Sequence, residues 1–292
     1  MKKLTRLSLI LPTLLLAHSL QGNLIFSEYF HEDEFAGNDT NLANGTNWAG
    51  GTNQMRFVDT VNLSFTNAGY SDTGNPGTGA ARTNASDANG RGSWTTVSAT
   101  ALSGEFWFSG LHQRNVITTT DSYSIFNLGT ANSIDPTNAS FNTSTSFGLH
   151  NEGSTLRPFI ATGNAGTWTA PTTGSAVADT TYLILARGNT TTSTLDVWFF
   201  EESDTVPLTV ADLPSPTLTT SSAELSNVTT LWIGKRGGTG GTTYFDALRL
   251  SDAAGDSGFQ AVTAIPEPST YAAIFGLFAI GLIAWRRRRQ KN

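Results

Sequence analysis

Between residues 20 and 262 this chain shows almost no helical periodicity. Short runs rich in Val, Ile, Phe, Tyr, Trp and Thr alternate with clusters of Gly, Asn, Asp and Ser, which is how strands and turns announce themselves. The pattern predicts strands at 24–30, 55–58, 61–65, 94–100, 104–109, 123–128, 146–150, 156–161, 181–187, 194–201, 228–234 and 243–250. Tyr182-Leu183-Ile184-Leu185-Ala186 is apolar on both faces, as a strand in the middle of a packed sheet would be. In the next run Leu195, Val197 and Phe199 share one face, while Asp196, Trp198 and Phe200 share the other. A dozen such strands favour an all-β fold, an antiparallel two-sheet β-sandwich, over helical or α/β alternatives.

Two stretches read as loops. Residues 69–92 contain no apolar run, and residues 41–51 end in Asn-Trp-Ala-Gly-Gly. The chain has no cysteine, so neither a disulfide framework nor a lipidated cysteine is available, and burial alone must hold the fold. Its formal charge of −6 understates the middle. Between Leu20 and Ile265 nine basic residues face twenty-two acidic ones, about −13, a sign that repels nucleic acid and anionic lipid.

The ends are of another kind. Lys2, Lys3 and Arg6 precede an apolar run from Leu7 to Ala17, and Ala17-His18-Ser19 supplies small residues at cleavage spacing. Residues 1–19 therefore read as a secretory signal peptide, cut after Ser19 or, failing that, after Gly22. At the far end, residues 271–285 carry no charge and suit a helix in lipid, yet at ~1.5 Å per residue they cover only about 22 Å of a ~30 Å core. Arg286, Arg287, Arg288 and Arg289 follow, and the positive-inside rule keeps them, with the rest of the basic tail 286–292, on the cytoplasmic side. Just before the apolar span stands Pro266-Glu267-Pro268-Ser269, where two prolines hold the backbone extended.

That C-terminal order, over 263–292, resembles the PEP-CTERM sorting signal. The resemblance implies that Pro266, Glu267, Pro268 and Ser269 are read by an exosortase, a membrane cysteine transpeptidase-like enzyme of Gram-negative bacteria that make exopolysaccharide. It also implies Sec export, signal-peptidase cleavage and an intermediate anchored in the inner membrane by the C-terminal transmembrane helix. Delivery to the cell surface or extracellular matrix follows, with exopolysaccharide as a partner and nucleic acid as none.

A second resemblance lies upstream. Leu231-Trp232-Ile233-Gly234, a glycine-rich turn and Tyr244-Phe245-Asp246-Ala247-Leu248-Arg249-Leu250 look like the closing hairpin of concanavalin A/laminin-G-like jelly rolls, with 182–187 and 194–200 as the preceding pair turning at Gly188-Asn189. It implies a jelly roll over residues 20–262. Laminin-G-like relatives often hold one calcium, for which Asp33, Asp39 and Asp246 are weak candidates; no other cofactor is expected. Trp107, Trp198 and Trp232 alternate within strands and are either core or a platform for sugar rings.

Catalysis finds little support. A retaining glycosidase needs two carboxylates on one face, whereas Glu201 and Glu202 are adjacent and point apart; Glu32 and Glu34 share a side but sit in a loop. Gly255-Asp256-Ser257-Gly258 mimics a serine-protease nucleophile without the expected following glycine, and reads as a turn. The 237–241 glycine run lacks a Gly-Lys-Ser/Thr ending and reads as a hairpin loop. The sequence thus describes an exported, non-catalytic protein whose sandwich is structural or weakly glycan-binding, the alternative being a secreted glycan-active hydrolase on a jelly-roll fold.

Overall fold

The computed structural model describes residues 24–263 apart from 31–34, 36–39, 43–47, 50–54, 68–69, 71–78, 84–90, 116–120, 131–143, 163–167, 170–174 and 238–240. The signal segment, Asp33, Asp39, the Pro266–Ser269 motif, the apolar span and the arginine tail lie outside the described residues.

Two antiparallel sheets make a β-sandwich. The larger runs β13 (Leu218–Ser221), β12 (Thr194–Glu201), β11 (Thr181–Asn189), β6 (Glu105–Arg114), β15 (Thr243–Ser251), β4 (Ala80–Thr83), β3 (Arg56–Val58) and β2 (Thr40–Asn41). Its ninth strand, β1 (Leu24–Glu28), pairs with the second half of β15, so the first and last strands of the domain meet. The smaller sheet runs β10 (Trp168–Thr169), β9 (Thr155–Thr162), β8 (Ser144–Glu152), β7 (Ser122–Gly129), β14 (Thr230–Arg236) and β5 (Arg91–Thr96). One helix, α1 (Gly255–Thr263), follows the last strand.

Between the sheets sits a core of Phe106, Phe108, Phe126, Phe147, Ile184, Leu231, Ile233, Phe245 and Leu248, with others of their kind. Phe126 meets Phe108 and Phe245 edge to face at 5.1 and 5.0 Å, the geometry aromatic quadrupoles favour. His112 is wedged into this apolar layer, 4.8 Å from the Phe245 ring and 5.7 Å from Phe126, with no hydrogen-bond partner on either nitrogen. Burial, and secondarily the nearby Arg114 charge, pull its pKa down to about 3.

The two-faced strand explains itself here. Tyr182, Ile184 and Ala186 of β11 enter the inter-sheet core, while Leu183 and Leu185 enter a second apolar cluster on the outer face of the same sheet. The larger sheet is therefore buried on both sides, unusually for an antiparallel sheet.

Several expectations are corrected. Residues 61–65 form no strand; they cross the outer face of the larger sheet, burying Leu63 and Phe65. The 69–92 stretch is not all loop: Ala80–Thr83 slots between β3 and β15, small residues serving where an apolar run was sought, and β5 opens at Arg91. The segment read as a turn at Gly255–Gly258 begins helix α1, because Phe259 and Val262 find a buried surface. β14 and β15 form no closing hairpin; they belong to opposite sheets. The β11–β12 hairpin forms, but Gly188 and Asn189 are still paired in its ladder and the turn falls at 190–193, where Ser193 takes φ 55° and Asn189 Oδ1 accepts the Thr191 and Thr192 N–H groups.

Candidate functional site

The two outer faces were both open to a functional role, and they are built differently. On the larger sheet the outer face is roofed by residues 61–67 with Tyr70, the 206–214 connection and α1. Trp107 and Trp198 stack there at 6.1 Å and 19°, and Phe259 of α1 meets Trp107 edge-on at 5.3 Å. The Arg187 guanidinium lies 5.7 and 5.9 Å from the two indole centres and is held by Asp196 at 2.6 Å. Both indole N–H groups are used: Trp107 Nε1 donates to Glu105 Oε1 and Trp198 Nε1 to the Pro214 carbonyl, each at 2.8 Å.

The Phe-Asp-Ala-Leu-Arg-Leu run acquires a mechanical meaning on this face. Phe245, Leu248 and Leu250 point inward. A bulge at Ala247, with φ 48°, leaves Asp246 and Arg249 both facing the roof. Asp246 Oδ2 accepts the Leu63 N–H at 3.3 Å and its Oδ1 accepts the Ala247 N–H at 2.7 Å. Arg249 donates to Tyr29 Oη and to the Val262 carbonyl, both at 3.0 Å, with its guanidinium 4.8 Å from the Tyr70 ring. This motif is the fastening of a roof. Asp246, a weak calcium candidate, is fully buried with its carboxylate bonded to main-chain donors. Among the described residues no three metal-ligating side chains converge.

The outer face of the smaller sheet is organised in rows. In register across it lie Gly92, Gly234, Ile125, Gly148 and Phe159. On one side of that row come Trp94, Trp232, Asn127, Ser146 and Ala161; on the other come Tyr123, His150 and Arg157. A Cβ on Gly92 would fall 1.9 Å from the Trp232 indole, so the glycine row is the trough in which that ring lies. At Gly148, φ +151° and a Ser124 carbonyl 2.2 Å from any Cβ admit glycine alone.

Polar groups on this face are left over. Asn127 Nδ2 donates to Ser144 Oγ at 2.9 Å and Ser146 Oγ at 2.8 Å, but its fully buried Oδ1 has no hydrogen-bond partner. His150 lies flat on Tyr123, centroids 4.1 Å apart and planes 7° apart, and neither ring nitrogen is bonded. Desolvation lowers its pKa, against the opposing pull of Asp121 and Glu152. An unmet buried polar atom costs about 1–3 kcal/mol, so two such residues on one face call for a reason.

Of the two readings of the three tryptophans, core holds and sugar platform does not. Trp107, Trp198 and Trp232 are 0%, 3% and 0% exposed, leaving no face of theirs for a ring to stack on. The half-buried aromatics are instead Trp94 and Tyr123 at the rim of the smaller sheet's face. Their signal was legible in Gly92-Ser93-Trp94 and Trp232-Ile233-Gly234, mirror-image triplets that pair Trp with Trp and Gly with Gly.

Comparison with known proteins bears on the segment just past α1. Its description is a PEP-CTERM protein-sorting motif, matched over residues 264–290. The chain carries a PEP-CTERM sorting motif. That motif marks it for export, and it begins at the residue after Thr263, the last of α1. Among the described residues no helix is long and apolar enough to cross a membrane. No curated protein matches the chain. Among solved structures it is similar to the Trypanosoma cruzi calreticulin globular domain (13% identity, 91% of this chain and 99% of that one, TM-score 0.49). It is similar also to lectin II from Ulex europaeus (12%, 78% and 99%, TM-score 0.47). A third is the CBM2 module of the evolved Dit of Lactobacillus casei BL23 phage J-1 (10%, 80% and 98%, TM-score 0.46).

Proposed function

We propose that this protein is exported, processed by an exosortase and displayed at the surface or in the extracellular matrix of an exopolysaccharide-making Gram-negative bacterium. Its β-sandwich is non-catalytic there and acts as a structural module that binds neutral glycan weakly. Signal peptidase and the Sec machinery act first, and the inner membrane holds the intermediate. The observation that carries the export half is the sorting motif at 264–290, directly abutting the folded domain. The glycan half is supported by the half-buried rim aromatics Tyr123 and Trp94 on the outer face of the smaller sheet, beside His150, whose ring nitrogens have no hydrogen-bond partner. Sugars offer hydroxyls to such atoms and C–H faces to such rings.

Intact mass of the protein recovered from the cell surface tests the first half. The expected species lacks the N-terminal 19 or 22 residues and the C-terminal tail; a full-length species would refute the sorting reading. Retention on immobilised exopolysaccharide without release of reducing sugar tests the second half. Released sugar would instead establish the hydrolase.

A further inference from the structure

We propose that helix α1 is a brake on its own processing: the folded sandwich grips the helix end and so limits how far the sorting signal can be fed to the membrane enzyme. This rests on the sorting reading above.

The helix is fixed at both ends and along one side. At its start, the Gly255 N–H donates to Glu105 Oε1 at 2.7 Å, the same oxygen that accepts Trp107 Nε1. Asp256 Oδ1 accepts the Val210 N–H at 2.6 Å. Phe259 is seated on Trp107, and a Cβ at Gly258 would lie 1.8 Å from the Ala253 carbonyl, so the backbone is pressed against what precedes it. At its end the Val262 carbonyl accepts from Ser109 Oγ at 2.7 Å and from Arg249 Nη1 at 3.0 Å. Helix ends leave carbonyls unpaired, and a cation there is also favoured by the helix dipole. Here the orphan carbonyl is held by two side chains of the sheet.

Contour length turns that grip into a restraint. From Thr263 to Pro266 the chain spans at most about 10 Å, and to Tyr271 at most about 28 Å, at ~3.3–3.6 Å per residue. An enzyme embedded in the membrane must take hold of Pro266–Ser269 within that gap, with a whole sandwich on its outer side. Unwinding α1 lengthens the stem by roughly 16 Å, since each of its nine residues goes from ~1.5 to ~3.3 Å. Arg249 also bonds Tyr29, just beyond β1, so the brake is complete only when the first strand has joined the last.

The test follows tail loss in cells by pulse-chase and intact mass, for the full-length chain and three variants. One inserts twelve Gly/Ser residues between Thr263 and Ala264; the others are Ser109→Ala and Arg249→Ala, each checked by thermal melting of the purified domain. The expected result is tail loss at least threefold faster with the insertion and with either clamp variant that still melts cooperatively. An insertion that leaves the rate within a factor of 1.5 overturns the proposal. So does an insertion that speeds processing while both clamp variants match the parent, because length and not grip would then be limiting. If parent and insertion both keep their tails, and Glu267→Ala changes nothing, the sorting reading fails and the brake falls with it.

Discussion

The two outer faces of this sandwich use similar residues to opposite ends. Above the larger sheet, Asp246, Arg249 and Glu105 are matched to partners on the roof, both indole N–H groups are bonded, and two tryptophans, a phenylalanine and an arginine fill the space between. On the smaller sheet the aromatic residues are as large, yet Asn127 Oδ1 and the His150 ring have no partner. Matching of this kind marks a face selected for holding the fold together. Unmatched polar atoms beside rim aromatics mark a face whose cost in stability is retained for another purpose.

The widest separation between the faces comes from truncating aromatics. Trp107→Ala should lower unfolding stability in urea by about 4 kcal/mol, the cost of emptying a fully buried indole site. Trp94→Ala, at a half-buried rim, should cost about 1 kcal/mol. Equal losses would erase the distinction.

Acid provides a second contrast, between the layer inside and the face outside. His112 titrates at about 3 in the folded protein and near 6.5 when unfolded. The unfolded chain therefore binds the proton first, so this contribution to stability is complete above pH 6.5 and is lost as pH falls toward 3. At pH 5 the loss is about 2 kcal/mol. His112→Phe should flatten the urea midpoint between pH 7 and 5, whereas His150→Phe should leave most of the slope, since Asp121 and Glu152 oppose the lowering there. A slope that vanishes with His150 would relocate the titrating group.

Smaller still is the effect expected of filling the unmatched atoms. Asn127→Leu removes a buried acceptor that has no donor, and should change stability by less than about 1 kcal/mol in either direction. A loss of 3 kcal/mol would mean that its two serine contacts, not a ligand, justify the asparagine.

How much of this was written in the sequence depends on whether a residue's role is local. The 194–201 run coincides with β12 to the residue, and the two-sided apolarity of 182–186 anticipated a sheet buried on both faces. β4 escaped because Ala80-Ala81-Arg82-Thr83 is a strand by virtue of its neighbours' edges rather than its own apolarity. Helix α1 escaped for a similar reason: nine residues with glycine at 255 and 258 have little helical tendency, and Trp107, Ser109 and Arg249 supply what the segment lacks. The crossing from β14 to β15 was read as a hairpin because a glycine-rich turn looks the same whether the chain folds back in one sheet or passes to the other. The Asp and Arg of the Phe-Asp-Ala-Leu-Arg-Leu run were recognisable as a pattern, but their partners Leu63, Tyr29 and Val262 are distant or in another element.

The division between the faces meets its most direct trial in one binding measurement on three proteins: parent, the double variant Trp94→Ala/Tyr123→Ala at the rim of the smaller sheet, and Arg187→Ala from the roofed side. Retention on the bacterium's own exopolysaccharide should fall at least tenfold in the double variant, provided it still melts cooperatively. It should stay at the parental level in Arg187→Ala. Retention that survives the double variant, or that is lost only with Arg187, would contradict the account.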